Sequence, residues 1–316
     1  MTIHWGILST AHINRRIIPA IHHSGRGVLK AVASRDLVKA TSYAGQWNIP
    51  KAFGTYDELL GDPDIHVIYN SLPNHLHTEW TIRSLEAGKH VLCEKPMCLS
   101  LEELNLIEET SRRTGCYVME GYMHLHHPQT HLWKSIVDSG VLGDIHSLRS
   151  CFSFNLERPQ DNYRWKAEAG GGALWDVGVY PISLFQYLLN QSPAAGSAFL
   201  YEQDGVDIST SVQLDYSDGR TGQFFVSFRS VFSTDTVIHG SAGQLYISHP
   251  FTNPDSCKAF IRKGNVIENL DVPRQYLYSG EVETMHDYVE TGKCSAVTID
   301  FSKSVLETII NVRRQA

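Results

Sequence analysis

The chain has 316 residues, of which 42% are apolar and 19% charged, with a formal net charge of -7. That length suits two domains or one enlarged α/β domain, and the composition excludes disordered and fibrous classes. Lysine and arginine never gather into a basic run and no twenty-residue apolar span or signal-like stretch is present, so neither a nucleic-acid nor a membrane partner is expected, and a cytoplasmic location is.

Strand one is predicted at Ile3 to Leu8, and Thr10 is placed to cap a helix whose apolar face is Ile13, Ile17, Ile18 and Ile21. Strand two, Val28 to Ala33, leads to Asp36 as the cap of a helix carrying Ala40, Tyr43, Ala44 and Trp47. A smaller unit follows around Ala52 to Leu60. Strand four, Val67 to Asn70, is apolar until its last residue, as a strand covered on both faces is, and a helix runs from its loop to Ala87 and Gly88. Strand five precedes Glu94, Lys95 and Pro96; Ser100 and Glu103 then read as a capping box, Gly115 as a helix stop, and Cys116 to Glu120 as strand six.

Strand and helix alternate up to residue 121, which predicts an α/β nucleotide-binding domain of Rossmann type on a parallel sheet over 1–121. Beyond it the pattern changes. Helices are read around Leu132 to Val137 and Ala173 to Leu189, followed by period-two strands at 212–216, 222–228, 236–239 and 244–247, so 122–316 is expected to be an α+β domain on a large, mainly antiparallel sheet. Two late helices, Val282 to Glu290 and Phe301 to Val312, are free to pack on either domain. Six cysteines lack any paired spacing and read as reduced thiols.

In an open α/β sheet the ligand crevice lies outside the carboxyl ends of the strands, so Lys95 is the first candidate for chemistry. The loop Ser9-Thr10-Ala11-His12-Ile13-Asn14 stands where a dinucleotide turn would be and holds none of that motif's three glycines, yet small residues before a helix amino terminus can still cradle a pyrophosphate. At the end of strand two, Ser34 and Arg35 can hold a 2′-phosphate, which favours NADP with NAD as the alternative, while Asp36 serves as a cap.

Glu94-Lys95-Pro96, Pro73-Asn74-x-x-His77, and the run from Glu168 through three glycines to Asp176-Val-Gly-Val-Tyr180 are similar, in this order, to the landmarks of the Gfo/Idh/MocA oxidoreductases. Trp5 to Ser9, Ser34-Arg35-Asp36 and Asp176-x-Gly-x-Tyr180 most resemble the branch with dimeric dihydrodiol dehydrogenase and NADP-dependent D-xylose 1-dehydrogenase. The resemblance implies that Lys95 and Tyr180 meet at the nicotinamide with Asp176 beside them. It also implies that Ser71, Leu72, Pro73, Asn74, His77 and Glu94 border the cofactor, and that the second domain's sheet forms a homodimer. His124-Leu125-His126-His127-Pro128 departs from the arginine-bearing pattern common after strand six.

Oxidising an alcohol requires hydride loss from carbon and proton loss from oxygen. A free tyrosine titrates near ~10, and an ammonium about 4 Å away contributes on the order of 4 kcal/mol at an effective dielectric of ~20. Tyr180 can therefore act as the base with Lys95 lowering its pKa, or Lys95 can carry the proton itself. Asp176 and Tyr180, four residues apart, share a helix face if the segment is helical from Ala173. Arg164 and Trp165 suit a hydroxyl-rich substrate, and His124 and His126 stand where they can contact one. His127 and His131 have i, i+4 spacing but no acid or cysteine at ligand spacing, so no metal is expected. The expected activity is hydride transfer between NADP and a sugar or cyclic diol; a nucleotide-sugar 3-ketoreductase and a non-catalytic NADP sensor are the alternatives.

Overall fold

The computed structural model describes residues 2–157, 162–252 and 254–315. By contacts the chain forms two compact units, Met1–Met123 with Tyr278–Lys303, and His124–Leu277 with Ser304–Ala316.

The first unit is a doubly wound parallel sheet. Its strands β1 (Ile3–Leu8), β2 (Gly27–Ala33), β3 (Lys51–Phe53), β4 (Val67–Asn70), β5 (His90–Glu94) and β6 (Val118–Gly121) are ordered β3-β2-β1-β4-β5-β6. They alternate with α1 (Asn14–His23), α2 (Leu37–Trp47), α3 (Tyr56–Leu60), α4 (Asn74–Glu86) and α5 (Leu101–Thr114). The order reverses between β1 and β4, which makes that edge the crevice for a ligand. Leu8, Ala31, Ala33, Leu59 and Ile68 are all fully buried, so the sheet's apolar runs are covered as parallel strands require.

Two sequence expectations about caps are corrected. α1 starts at Asn14, with Ile13 as its N-cap and no side-chain cap bond, so Thr10 lies a turn too early to cap it. Ser100 accepts from Glu103 N as expected, but Glu103 Oε2 accepts from Leu99 N at 2.8 Å, one residue short of a reciprocal box. Asp36 does cap α2, accepting from Val38 N and Lys39 N, and Gly115 closes α5 at φ +71°.

The second unit begins with α6 (Pro128–Asp138) and β7 (Ile145–Asn155). The segment expected to be one α-helix is a π-turn at Leu174–Gly178 followed by α7 (Val179–Leu189). Pro181 falls in α7 just after the π-turn, in helical backbone that runs unbroken from Ala173, and the π register is where a helix accommodates a residue with no N–H to donate. Then come β8 (Ala195–Gln203), β9 (Val206–Asp215), β10 (Thr221–Ser227), β11 (Arg229–Gly240), β12 (Gln244–Ile247), β13 (Ala259–Lys263) and β14 (Val266–Asn269). The eight strands are ordered β14-β13-β12-β11-β7-β10-β9-β8. All pairings are antiparallel except β7 with β10, which run parallel.

Helix α8 (Ser279–Thr291) belongs to the first unit: His286 Nε2 accepts from Trp5 Nε1 at 2.9 Å, Tyr288 stacks on Tyr117 at 3.9 Å, and Arg26 pairs with Glu283, Asp287 and Glu290. Helix α9 (Ile299–Arg314) ends the chain's regular structure.

Candidate active site

In the first unit the residues expected around a dinucleotide gather at the carboxyl ends of β1, β2, β4 and β5. Ser9 follows β1 with φ +86°, a left-handed conformation rare outside glycine, and its Oγ accepts from Ala11 N at 3.1 Å. That bond folds Thr10, Ala11 and His12 into a tight turn before the uncapped start of α1, whose outward N–H groups and dipole suit a phosphate. Ser71 lies directly opposite: its hydroxyl donates to Leu8 O at 2.9 Å and is 3.2 Å from Ser9 Oγ. Ser9 adopts a positive-φ conformation usual for glycine, so the residues present fit a dinucleotide's phosphates at this turn without the fingerprint glycines.

At the end of β2, Ser34 is buried and Arg35 exposed, the guanidinium interacting with the Tyr56 hydroxyl. Asn70, the last residue of β4, ties the turn that follows together through His77 O, Thr81 Oγ1 and Leu72 N. Asn74 and His77 are buried in α4. His77 joins two loops, with Nε2 at 2.6 Å from Leu72 O and Nδ1 at 2.7 Å from Pro96 O. Burial pushes its pKa down to about 4 against the opposing pull of those two carbonyls.

Lys95 is half-buried and its bond to Pro96 is cis. Glu94 accepts from the Tyr69 hydroxyl and from Lys95 N. Two acids that sequence reasoning missed stand nearby. Glu120, near the end of β6, accepts from Met97 N at 2.9 Å; burial raises its pKa, while the Lys95 charge is among the influences drawing it back. Glu281 of α8 is fully buried, and burial followed by repulsion from Glu94 lifts its pKa well above the usual range. An acid inside the apolar strand Val118-Met119-Glu120 was a legible signal; nothing in the sequence around Glu281 distinguished it.

In the second unit Asp176 and Tyr180 are 5% and 7% exposed. The π-turn carries Asp176 and hands the chain to α7 two residues before Tyr180. The Tyr180 ring lies among His124, Phe152 and Phe251, with centroids 5.1, 5.2 and 5.5 Å away. Ser183 Oγ lies 3.1 Å from Tyr180 O and 3.2 Å from His124 Nε2, which ties the imidazole to the tyrosine's own helix. Arg164 Nε donates to Asp176 Oδ2 at 2.7 Å, and this carboxylate, followed by other neighbours including Tyr180, raises the guanidinium's pKa. Trp165 packs edge-on against Phe228 at 5.7 Å.

Of the neighbouring histidines, His127 and His131 serve the local fold. His127 caps α6 through Gln129 N and contacts Gln275 O, His131 contacts Leu125 O, and His126 is buried with its pKa pushed down to about 4. Among the described residues no three metal-ligating side chains converge.

Comparison with known proteins shows the family. The family model for the Gfo/Idh/MocA oxidoreductase family, NAD-binding Rossmann fold, matches residues 3–122, and that for the Gfo/Idh/MocA C-terminal domain matches 131–246. The chain belongs to the Gfo/Idh/MocA family. Among its relatives in that family, D-xylose 1-dehydrogenase (NADP(+)) 2 of Haloferax volcanii is 33% identical over 311 residues, 96% of this chain and 94% of the relative. Trans-1,2-dihydrobenzene-1,2-diol dehydrogenase of Bos taurus is 33% identical over 262 residues, 80% of this chain and 76% of the relative. A solved 3-ketoreductase from Actinomadura kijaniata, in complex with NADP and TDP-benzene, superposes with a TM-score of 0.94 at 29% identity, covering 100% of this chain and 98% of that one. As a Gfo/Idh/MocA protein the chain is an NAD(P)-binding oxidoreductase.

Proposed function

We propose that this enzyme transfers hydride between NADP and a hydroxyl or carbonyl of a sugar or cyclic diol, with Lys95 and Tyr180 handling the proton and Asp176 beside them. The observation that carries this reading is the environment of Tyr180: a phenol almost wholly out of water, walled by aromatic rings, four residues from an acid whose charge Arg164 already balances. Bound in the first unit, NADP would supply the nicotinamide that accepts or delivers hydride.

The chain's own groups divide the remaining work. The turn Ser9, Thr10, Ala11, His12 and Ile13 would hold the pyrophosphate at the start of α1, and Ser34 with Arg35 the 2′-phosphate. Ser71, Leu72, Pro73, Asn74, His77 and Glu94 would line the cofactor's nicotinamide half. Tyr180 Oη would take the proton from the substrate hydroxyl as hydride leaves carbon, with the Lys95 ammonium stabilising the phenolate or relaying the proton. Arg164 has its Nε committed to Asp176, which leaves its Nη groups to meet substrate oxygens beside Trp165; His124, fixed by Ser183, and His126 would complete the wall.

A nucleotide-sugar 3-ketoreductase is the second reading, favoured by the likeness to the NADP-bound ketoreductase. Incubating the pure protein with NADP or NADPH and a panel of aldoses, cyclic diols and dTDP-linked ketosugars, followed at the nicotinamide absorbance, tests both. Turnover confined to the dTDP-linked compounds would replace the first reading by the second, and cofactor binding with no turnover anywhere would sink both.

We further propose a homodimer through the outer face of the second unit's sheet. A shallow depression of about 740 Å³ there is lined by Arg149, Cys151, Phe199, Gln213, Phe225 and Asp235, and Phe199 is 74% exposed. Opposite charges and an apolar residue on one face are what a two-fold, self-matching contact needs. Light scattering should give twice the chain mass, and Phe199→Glu half of that. The buried free thiols Cys93, Cys98 and Cys116 suit a reducing compartment, and we place the protein in the cytoplasm.

A further inference from the structure

We infer that Asp207 and Arg313 form an anchor that sets the π-turn carrying Asp176 and leading to Tyr180, so that both are positioning residues for the proton-transfer step. The inference rests on the function proposed above for Tyr180 and Asp176.

Asp207, on β9, is wholly buried. Its Oδ2 accepts from Leu174 N and from Thr210 Oγ1, each at 2.8 Å, and its Oδ1 accepts from Arg313 Nη1 at 2.8 Å. Leu174 is the first residue of the π-turn, so a carboxylate from a strand thirty-three residues on supplies the cap that the turn's own sequence lacks. A π-turn has poorer intrinsic geometry than an α-helix and persists where its surroundings hold it. Asp207 holds its start.

The glycine run is shaped to the same carboxylate. Gly172 has φ +116°, and a Cβ there would lie 2.1 Å from Asp207 Oδ1, so no side chain fits. Gly172 O in turn accepts from Asp176 N at 3.0 Å, and Gly172 N donates to Arg164 O at 3.0 Å. One buried carboxylate therefore stands behind the backbone of Asp176, of its partner Arg164, and of the turn that feeds Tyr180. Arg313 reaches it from α9 with its side chain 28% exposed, and its other Nη lies 3.7 Å from Glu202. Burial tends to raise the Asp207 pKa, and the donors just named hold the carboxylate's charge in place.

The test compares Asp207→Asn, Arg313→Gln and Arg313→Lys with the wild type, as full-length protein with NADP added. Peptide-resolved amide exchange should speed up about tenfold or more over residues 172–182 in Asp207→Asn and Arg313→Gln, and stay unchanged in the first unit. kcat should fall about 10- to 100-fold in those two variants, while NADP affinity stays within about twofold and Arg313→Lys recovers part of the loss. Unaltered exchange over 172–182, or faster exchange with undiminished kcat, would overturn the inference. If the wild type turned over nothing in the substrate panel, the proposed function would fall, and the exchange measurement alone would still decide whether the anchor holds the turn.

Discussion

Arg164 and Asp176 are joined by one hydrogen bond of 2.7 Å, Nε to Oδ2, while Gly172 between them bonds through its backbone to both residues. The pair is fixed at side chain and main chain alike. Arg164→Met removes the cation from a carboxylate that is 5% exposed, and the arginine's own exposure of 33% tempers the cost. A loss of about 1 to 3 kcal/mol is expected, read from urea midpoints. kcat/KM should drop at least about tenfold, and Arg164→Lys should not restore it, since an ammonium cannot present an Nε donor and free Nη groups together.

Tyr180→Phe keeps the ring contacts with His124, Phe152 and Phe251 and removes only the hydroxyl. Steady-state kinetics should show kcat lower by about two to four orders of magnitude with cofactor affinity little changed. Near wild-type turnover would take Tyr180 out of the mechanism.

Arg35 sits at the end of β2 in contact with Tyr56, exposed enough to reach a ligand and not merely solvated. Arg35→Ala should weaken NADP by about 10- to 100-fold, the worth of a charge-assisted bond, and leave NAD within about twofold. Equal weakening of both dinucleotides, measured by fluorescence titration, would remove Arg35 from 2′-phosphate recognition.

Among the described residues neither carboxyl oxygen of Glu281 has a hydrogen-bond partner. Its folded-state pKa lies well above 4.5, so the folded chain keeps a proton that the unfolded chain releases, and stability declines as pH rises above about 4.5 until the buried group itself ionises. Glu281→Gln, neutral at every pH, should flatten that decline: its melting temperature should gain on the wild type's between pH 5 and pH 8. Parallel curves would show that Glu281 contributes nothing to the pH dependence.

Much of this was legible in the residues. The parallel sheet showed because β4 and its neighbours are apolar on both faces, and Lys95 because it follows such a strand. Capping was half legible. Asp36 bonds to its own helix, as a local rule requires, but α1 starts where no side chain caps it, and no such rule could find that boundary. β8 and β14 escaped because edge strands with mostly exposed residues carry little apolar alternation. The π-turn escaped because its register is imposed by Asp207 from another strand, and Arg313 because an arginine pair in the last turn of a helix reads as surface charge. Glu281 and Glu94 come together only through folding.

The parallel pairing of β7 with β10 sets Ser147 beside Thr221, seventy-four residues on. Bringing together the ends of a segment that long costs about 4 kcal/mol in chain entropy before any contact repays it. Arg164, the glycine run, Asp176, Tyr180 and Asp207 all lie inside the closed segment. Topology of this kind folds slowly, and the candidate site residues it encloses sit among contacts distant in sequence. During synthesis β7 has no partner strand until β10 emerges, by which time Arg164, Asp176, Tyr180 and Asp207 are already made.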